Sequence, residues 1–168
     1  NLAIADNQRA IDLGYAWNPA TINMVASLRD AKMFEKAFPH HRRLVEAFPN
    51  DDGLRAQYAA DLNSVGRYDE ALAEVGRAIK LNPSNAGSYR IQANAFANLK
   101  RYSEALTSME RAFAIEPASR SNFTRRAAIY NSMGRYSQAI ADMERAISQA
   151  GNDADLWNNL CLYQSNAG

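Results

Sequence analysis

The chain has 168 residues and a formal net charge of +1, with 19 Lys and Arg against 18 Asp and Glu, which argues against a nucleic-acid binder working through a strong overall field. Its one cysteine, Cys161, excludes an internal disulfide and any Cys-based metal site. No apolar run is long enough to span a bilayer, so no membrane insertion is expected, and no signal peptide is visible after Asn1.

In chain order, the predicted elements follow one period. Residues 1–17 fit the second helix of a partial repeat through Ala3, Ala10 and Leu13. Residues 18–51 form a divergent repeat, opened by Asn18, with Val25, Phe34, Ala37, Leu44 and Pro49 in register. The repeats 52–85, 86–119 and 120–153 are clear. They carry GRYDEALAEVGRAI from Gly66, KRYSEALTSMERAF from Lys100 and GRYSQAIADMERAI from Gly134, with Tyr68, Tyr102 and Tyr136 each 34 residues apart. Residues 154–168 fit the first helix of a further repeat. Such a step marks an array of supersecondary units.

Each unit is predicted to be two helices. With Ala86 as position one, Tyr89, Ala93 and Phe96 recur at helical spacing, as do Ala105, Met109 and Ala112. Position eight is small in Ala59, Ala93, Ala127 and Cys161, and Ala71, Ala105 and Ala139 face it, as close antiparallel packing demands. Cys161 is therefore expected to be a buried packing thiol. Gly66 and Gly134 fall between helices, where a left-handed backbone is useful; Lys100 replaces them, so that turn is expected to form differently. The prolines Pro49, Pro83 and Pro117 close units, and Pro39 should bend a second helix mildly.

These motifs resemble the tetratricopeptide repeat family over nearly the whole chain. Departures are Tyr89, Phe123 and Arg55 for the usual Trp at position four, Gln92 and Arg126 for Leu at position seven, and Gly151 for the closing proline. The resemblance implies an all-α fold of tandem helix-turn-helix repeats in a right-handed superhelix, its concave groove lined by the first helices. Positions two, five, nine, twelve and thirteen line that groove in the family. Here they run Pro19, Ile22, Ala26, Arg29 and Asp30, then Gly53, Ala56, Ala60, Asn63 and Ser64. They continue with Gly87, Arg90, Asn94, Ala97 and Asn98, then Ser121, Thr124, Ala128, Asn131 and Ser132. The candidate partner-binding residues are Asn63, Arg90, Asn94, Asn98, Arg125, Asn131 and Ser132. Amides suit an extended peptide because they donate and accept, and the arginines suit a carboxylate.

Some family members clamp the acidic tails of heat-shock chaperones. Arg90 and Asn94 match one pair of that clamp approximately, but Arg125 stands where Asn is required, Asp155 would repel a carboxylate, and Ala56 and Ala60 offer nothing in the preceding frame. A chaperone-tail clamp is not expected.

No catalytic constellation is found, so no enzyme and no cofactor are expected. His40 and His41 are adjacent and diverge on a helix, so a surface role is expected rather than a metal site. Glu70, Glu74, Glu110 and Glu144, beside Arg77, Arg111 and Arg145, read as a solvated outer face. RNA reading one base per unit needs a repeated specificity pair, and position nine holds Ala26, Ala60, Asn94 and Ala128. The final segment LWNNLCLY places Leu156, Trp157, Leu160, Leu162 and Tyr163 on more than one side, so self-association through Trp157, Leu160 and Leu162, or continuation of the array, is expected. The expected function is a scaffold holding a partner peptide or helix. The alternatives are a docking domain of a larger enzyme or secretion or envelope assembly, and an end-to-end self-assembly module. The Ala- and Arg-rich composition looks bacterial, and the compartment, cytoplasmic or periplasmic, is not legible.

Overall fold

A computed structural model of the chain describes residues 4–7, 9, 17–150 and 153–168. The expectations for Ala3, Ala10, Leu13, Gly151 and the side chains of Asn18 and Pro19 lie outside what is described. All regular structure among the described residues is helical. The helices are α1 (Trp17–Asp30), α2 (Phe34–Ala47), α3 (Asp52–Ser64), α4 (Tyr68–Leu81), α5 (Ala86–Asn98), α6 (Tyr102–Ile115), α7 (Arg120–Ser132), α8 (Tyr136–Ala150) and α9 (Ala154–Asn166). None is long and apolar enough to cross a membrane.

The helices divide into two compact units, Asn1–Pro83 and Ser84–Gly168. In the first, α1 pairs with α2 and α3 with α4, and α2 packs on α3. In the second, α5 pairs with α6 and α7 with α8, α6 packs on α7, and α9 packs on α8.

Close pairing follows from side-chain size. Ala59, Ala93 and Ala127 on first helices, and Ala37, Ala71, Ala105 and Ala139 on second helices, are 0% exposed. A methyl group at each contact lets the backbones approach. Larger side chains fill the remaining space: Met109 packs with Ala93, Ala112 and Ile129, and Met143 with Phe123, Leu156, Leu160 and Tyr163. Cys161 departs from this pattern. It is exposed, not the buried packing thiol expected, and α9 packs on α8 through Leu156, Leu160 and Tyr163 instead.

Helix ends repeat as closely as the cores. The side chains of Asp51, Asn85 and Asp153 accept hydrogen bonds from the first-turn amides of α3, α5 and α9, meeting donors the helix leaves open. At the turns between paired helices, Gly66 and Gly134 have φ of 82° and 72°. Lys100 does not form a different turn. Its φ is 60°, and Lys32 in the divergent repeat has 56°. The same two backbone bonds recur at all four sites, for example Lys100 N to Ala97 O and Arg101 N to Phe96 O, beside Gly134 N to Asn131 O and Arg135 N to Tyr130 O. Hydrogen bonding and the packed hairpin therefore impose the left-handed turn even where a side chain opposes it. Pro39 is carried within α2 on its exposed side.

Candidate functional site

Polar side chains converge in the second unit, where α5 and α7 lie in contact. A recess of about 400 Å³ is lined by Arg90, Ser121, Thr124, Arg125, Asn159 and Tyr163, among others. A smaller one, about 120 Å³, is lined by Asn94, Ala97, Asn98, Arg125, Ile129 and Ser132. Arg125 lines both.

The two arginines differ. Arg90 is engaged: its Nη1 donates to Glu116 Oε2 at 2.6 Å and to Asn122 Oδ1 at 3.0 Å. Asn122 is fully buried, and its Nδ2 donates to the carbonyls of Ala112 (3.0 Å) and Glu116 (2.8 Å). One amide thus ties the end of α6 to the groove and aims Arg90. Arg90 in turn holds the Glu116 carboxyl below the usual range by hydrogen bonding and charge. Arg125 makes no hydrogen bond or ion pair with any described residue. It reaches solvent, but the recess walls crowd it. That desolvation first, and the charge of Arg90 second, push its pKa down. An exposed cation without a counter-charge is open to an incoming anion.

The structure therefore brings Asn94, Asn98, Arg125 and Ser132 to one recess and Arg90 and Arg125 to the other. Asn98 Nδ2 donates to Asn94 O (2.9 Å) and Ser132 Oγ to Ala128 O (3.0 Å), which leaves Asn98 Oδ1 and the lone pairs of Ser132 Oγ as acceptors. Asn131 lines neither recess, because its Oδ1 accepts from Asn166 on α9 at 3.0 Å. Asn63 does not line an open groove either; it is buried at 8% exposure in the first unit, as is Ala56. Asn122, Glu116, Asn159 and Tyr163 were not legible as site residues. A signal for Asn122 existed, since it shares position three with Ser88, which is also buried.

A second polar cluster lies in the first unit. His41 is not on the surface: it is 0% exposed, its Nε2 lies 2.7 Å from Asp61 Oδ2, and its ring stacks on Tyr58 at 5.1 Å. Arg29, expected in the groove, donates from Nε to Asp61 Oδ1 at 2.7 Å. His41 occupies the register slot of Val75, Met109 and Met143, all buried, which is why it is interior. No group of three or more metal-binding side chains exists among the described residues. On the outer face, Glu70 pairs with Arg67; Glu74, expected there too, is instead largely covered at 13% side-chain exposure, because it packs against Arg55, and it pairs with Arg55 and Arg77.

Two family models, each described as tetratricopeptide repeat, match residues 55–120 and 122–153. No curated protein sequence matches the chain. Among solved structures, the thermophilic TPR protein TTC0263 of Thermus thermophilus has a TM-score of 0.80 at 22% identity, over 97% of this chain and 88% of that one. MamA 41-end from Desulfovibrio magneticus RS-1 has 0.70 at 17%, over 88% and 85%. The first TPR of Spaghetti (RPAP3), bound to the HSP90 peptide SRMEEVD, has 0.62 at 21%, over 68% and 90%. These likenesses are likenesses of fold.

Proposed function

This chain belongs to the tetratricopeptide repeat family, and we propose that it is a protein-interaction scaffold whose second unit holds an extended acidic segment of a partner protein. The fold is one of scaffolds that are generally not enzymes. The observation that carries the finer reading is Arg125, an exposed guanidinium that lines two recesses and has no anionic partner among the described residues. A partner carboxylate would meet its planar donor fork. The amides of Asn94 and Asn98 and the hydroxyls of Ser132, Ser121 and Thr124 would meet the partner's backbone. A relative of this fold binds the HSP90 peptide SRMEEVD. The present chain carries Ala56, Ala60 and Asp155 where a chaperone-tail clamp needs other residues, so an acidic segment of different spacing is the better fit.

Panning a random peptide library against the chain tests this. Enriched peptides should carry an Asp or Glu, and Arg125→Ala should weaken them about tenfold or more, the worth of a charge-assisted hydrogen bond. Peptides without acids, or equal binding by the variant, would sink the reading.

A second reading has its own observation. On α9, Trp157 is 47% and Leu162 52% exposed, an apolar pair suited to self-association. Leu160 does not join them; it is buried against Met143 at 5% exposure. Light scattering across concentration would show a Trp157→Ala, Leu162→Ser variant staying monomeric while the parent associates. A parent monomeric at every concentration removes this reading.

A further inference from the structure

We propose that Glu116 is a built-in competitor for the partner's acidic segment: it neutralises Arg90 through Nη1, and a ligand gains the full charge of that arginine by displacing it. The inference rests on the reading above, that the second unit takes an acidic segment. Its basis is the asymmetry of the larger recess. Two guanidiniums line it, and one carboxylate, Glu116, serves one of them at 2.6 Å. The Glu116 side chain is 46% exposed and that of Arg90 21%, so the acid can leave for solvent, giving up Arg90 and the Ser119 hydroxyl that also bonds it, while the arginine stays in place. Arg90 remains aimed when Glu116 leaves, because Asn122 Oδ1 still accepts from its Nη1 at 3.0 Å. Asn122 is itself fixed by two backbone carbonyls, one of them that of Glu116. The backbone of residue 116 thus belongs to the anchor and its side chain to the gate.

The device sets a preference. A lone carboxylate on the ligand engages Arg125 and leaves the Glu116–Arg90 pair intact. Two acids close together on the ligand replace Glu116 and gain both guanidiniums. Removing Glu116 removes the competition, and the gain is bounded by the worth of a partly exposed ion pair, up to about fivefold in affinity.

The test uses fluorescein-labelled hexaglutamate and the full chain, with binding followed by anisotropy. Glu116→Gln is expected to tighten binding about three- to fivefold. Glu104→Gln removes the same charge from the exposed Arg101 pair of the same unit and should change nothing. Adding Arg90→Ala to Glu116→Gln should abolish the gain. If the parent binds hexaglutamate and Glu116→Gln binds it no better, or Glu104→Gln improves it equally, the competitor role is wrong and the acidic-segment reading stands. If neither the parent nor Glu116→Gln binds it, both fall.

Discussion

Arg126 stands where the family places leucine, and its compensation lies 16 residues further on. Its guanidinium forms a two-pronged pair with Asp142 at 2.7 and 2.8 Å and lies 4.3 Å from the centre of the Phe113 ring. Gln92 at the same position accepts from Ser108 Oγ at 2.9 Å, again 16 residues on. The two polar departures are therefore paired substitutions across a hairpin. Asp142→Ala should cost about 1.5–3 kcal/mol in urea unfolding by leaving a half-buried cation unpaired. The double change Arg126→Leu, Asp142→Ala should recover most of it. His40 gives a pH signature. Burial first, then Arg43 and His41, push its pKa below 6.5, so the folded chain binds a proton less readily than the unfolded one. Its contribution is full above pH 6.5 and lost as pH falls through the lowered value. His40→Gln should flatten the loss of stability below pH 6.5, as read by urea midpoints across pH. What the residues alone conveyed at this scale was uneven. The apolar register pointed to the interior for Ala37, Ala59, Ala71, Ala93, Ala105, Ala127 and Ala139, and it held the clue to His41. The partners Asp142, Ser108 and Asp61 were not legible, because hydrogen-bond pairing across helices leaves no periodic trace.

At the scale of elements, the left-handed turn recurs every 34 residues, and the side-chain cap recurs at Asp51, Asn85 and Asp153 but not at Ser119; each carries a stability prediction. Lys100 holds φ of 60° with a side chain that disfavours it. Lys100→Gly should stabilise the chain by about 0.5–1 kcal/mol, the left-handed penalty less the added freedom of glycine in the unfolded state. A fall in the thermal midpoint would show that the lysine side chain contributes more than its backbone strain. Asp51→Ala removes the oxygen that accepts from Leu54 N at 2.9 Å and should cost about 1 kcal/mol. Helix positions were legible because caps, small residues and prolines share one period. The conformation at Lys100 was not, since residue preference pointed away from the turn that packing and two backbone bonds enforce.

For the molecule as a whole, near-neutral charge conceals a local imbalance. The net charge of +1 gives no hint that two guanidiniums line one recess, with a single acid, Glu116, paired to one of them. The groove register named Arg90, Asn94, Asn98 and Ser132, of which the last three line one recess and Arg90 another, but it could not tell engaged side chains from available ones. Arg90, Asn131 and Asn63 proved committed or buried, while Arg125 alone of the groove arginines was left without a partner among the described residues. An acidic segment is expected to meet α5, α7 and α9 of the second unit on the face that Arg125 lines. Amide chemical shifts of the isotopically labelled chain, titrated with an acidic peptide recovered by panning, test this most directly. The predicted result is perturbation concentrated at Asn94, Asn98, Thr124, Arg125 and Ser132, and lost in Arg125→Ala. Perturbation confined to the outer face around Glu104 and Arg111, or unchanged by that substitution, would contradict it.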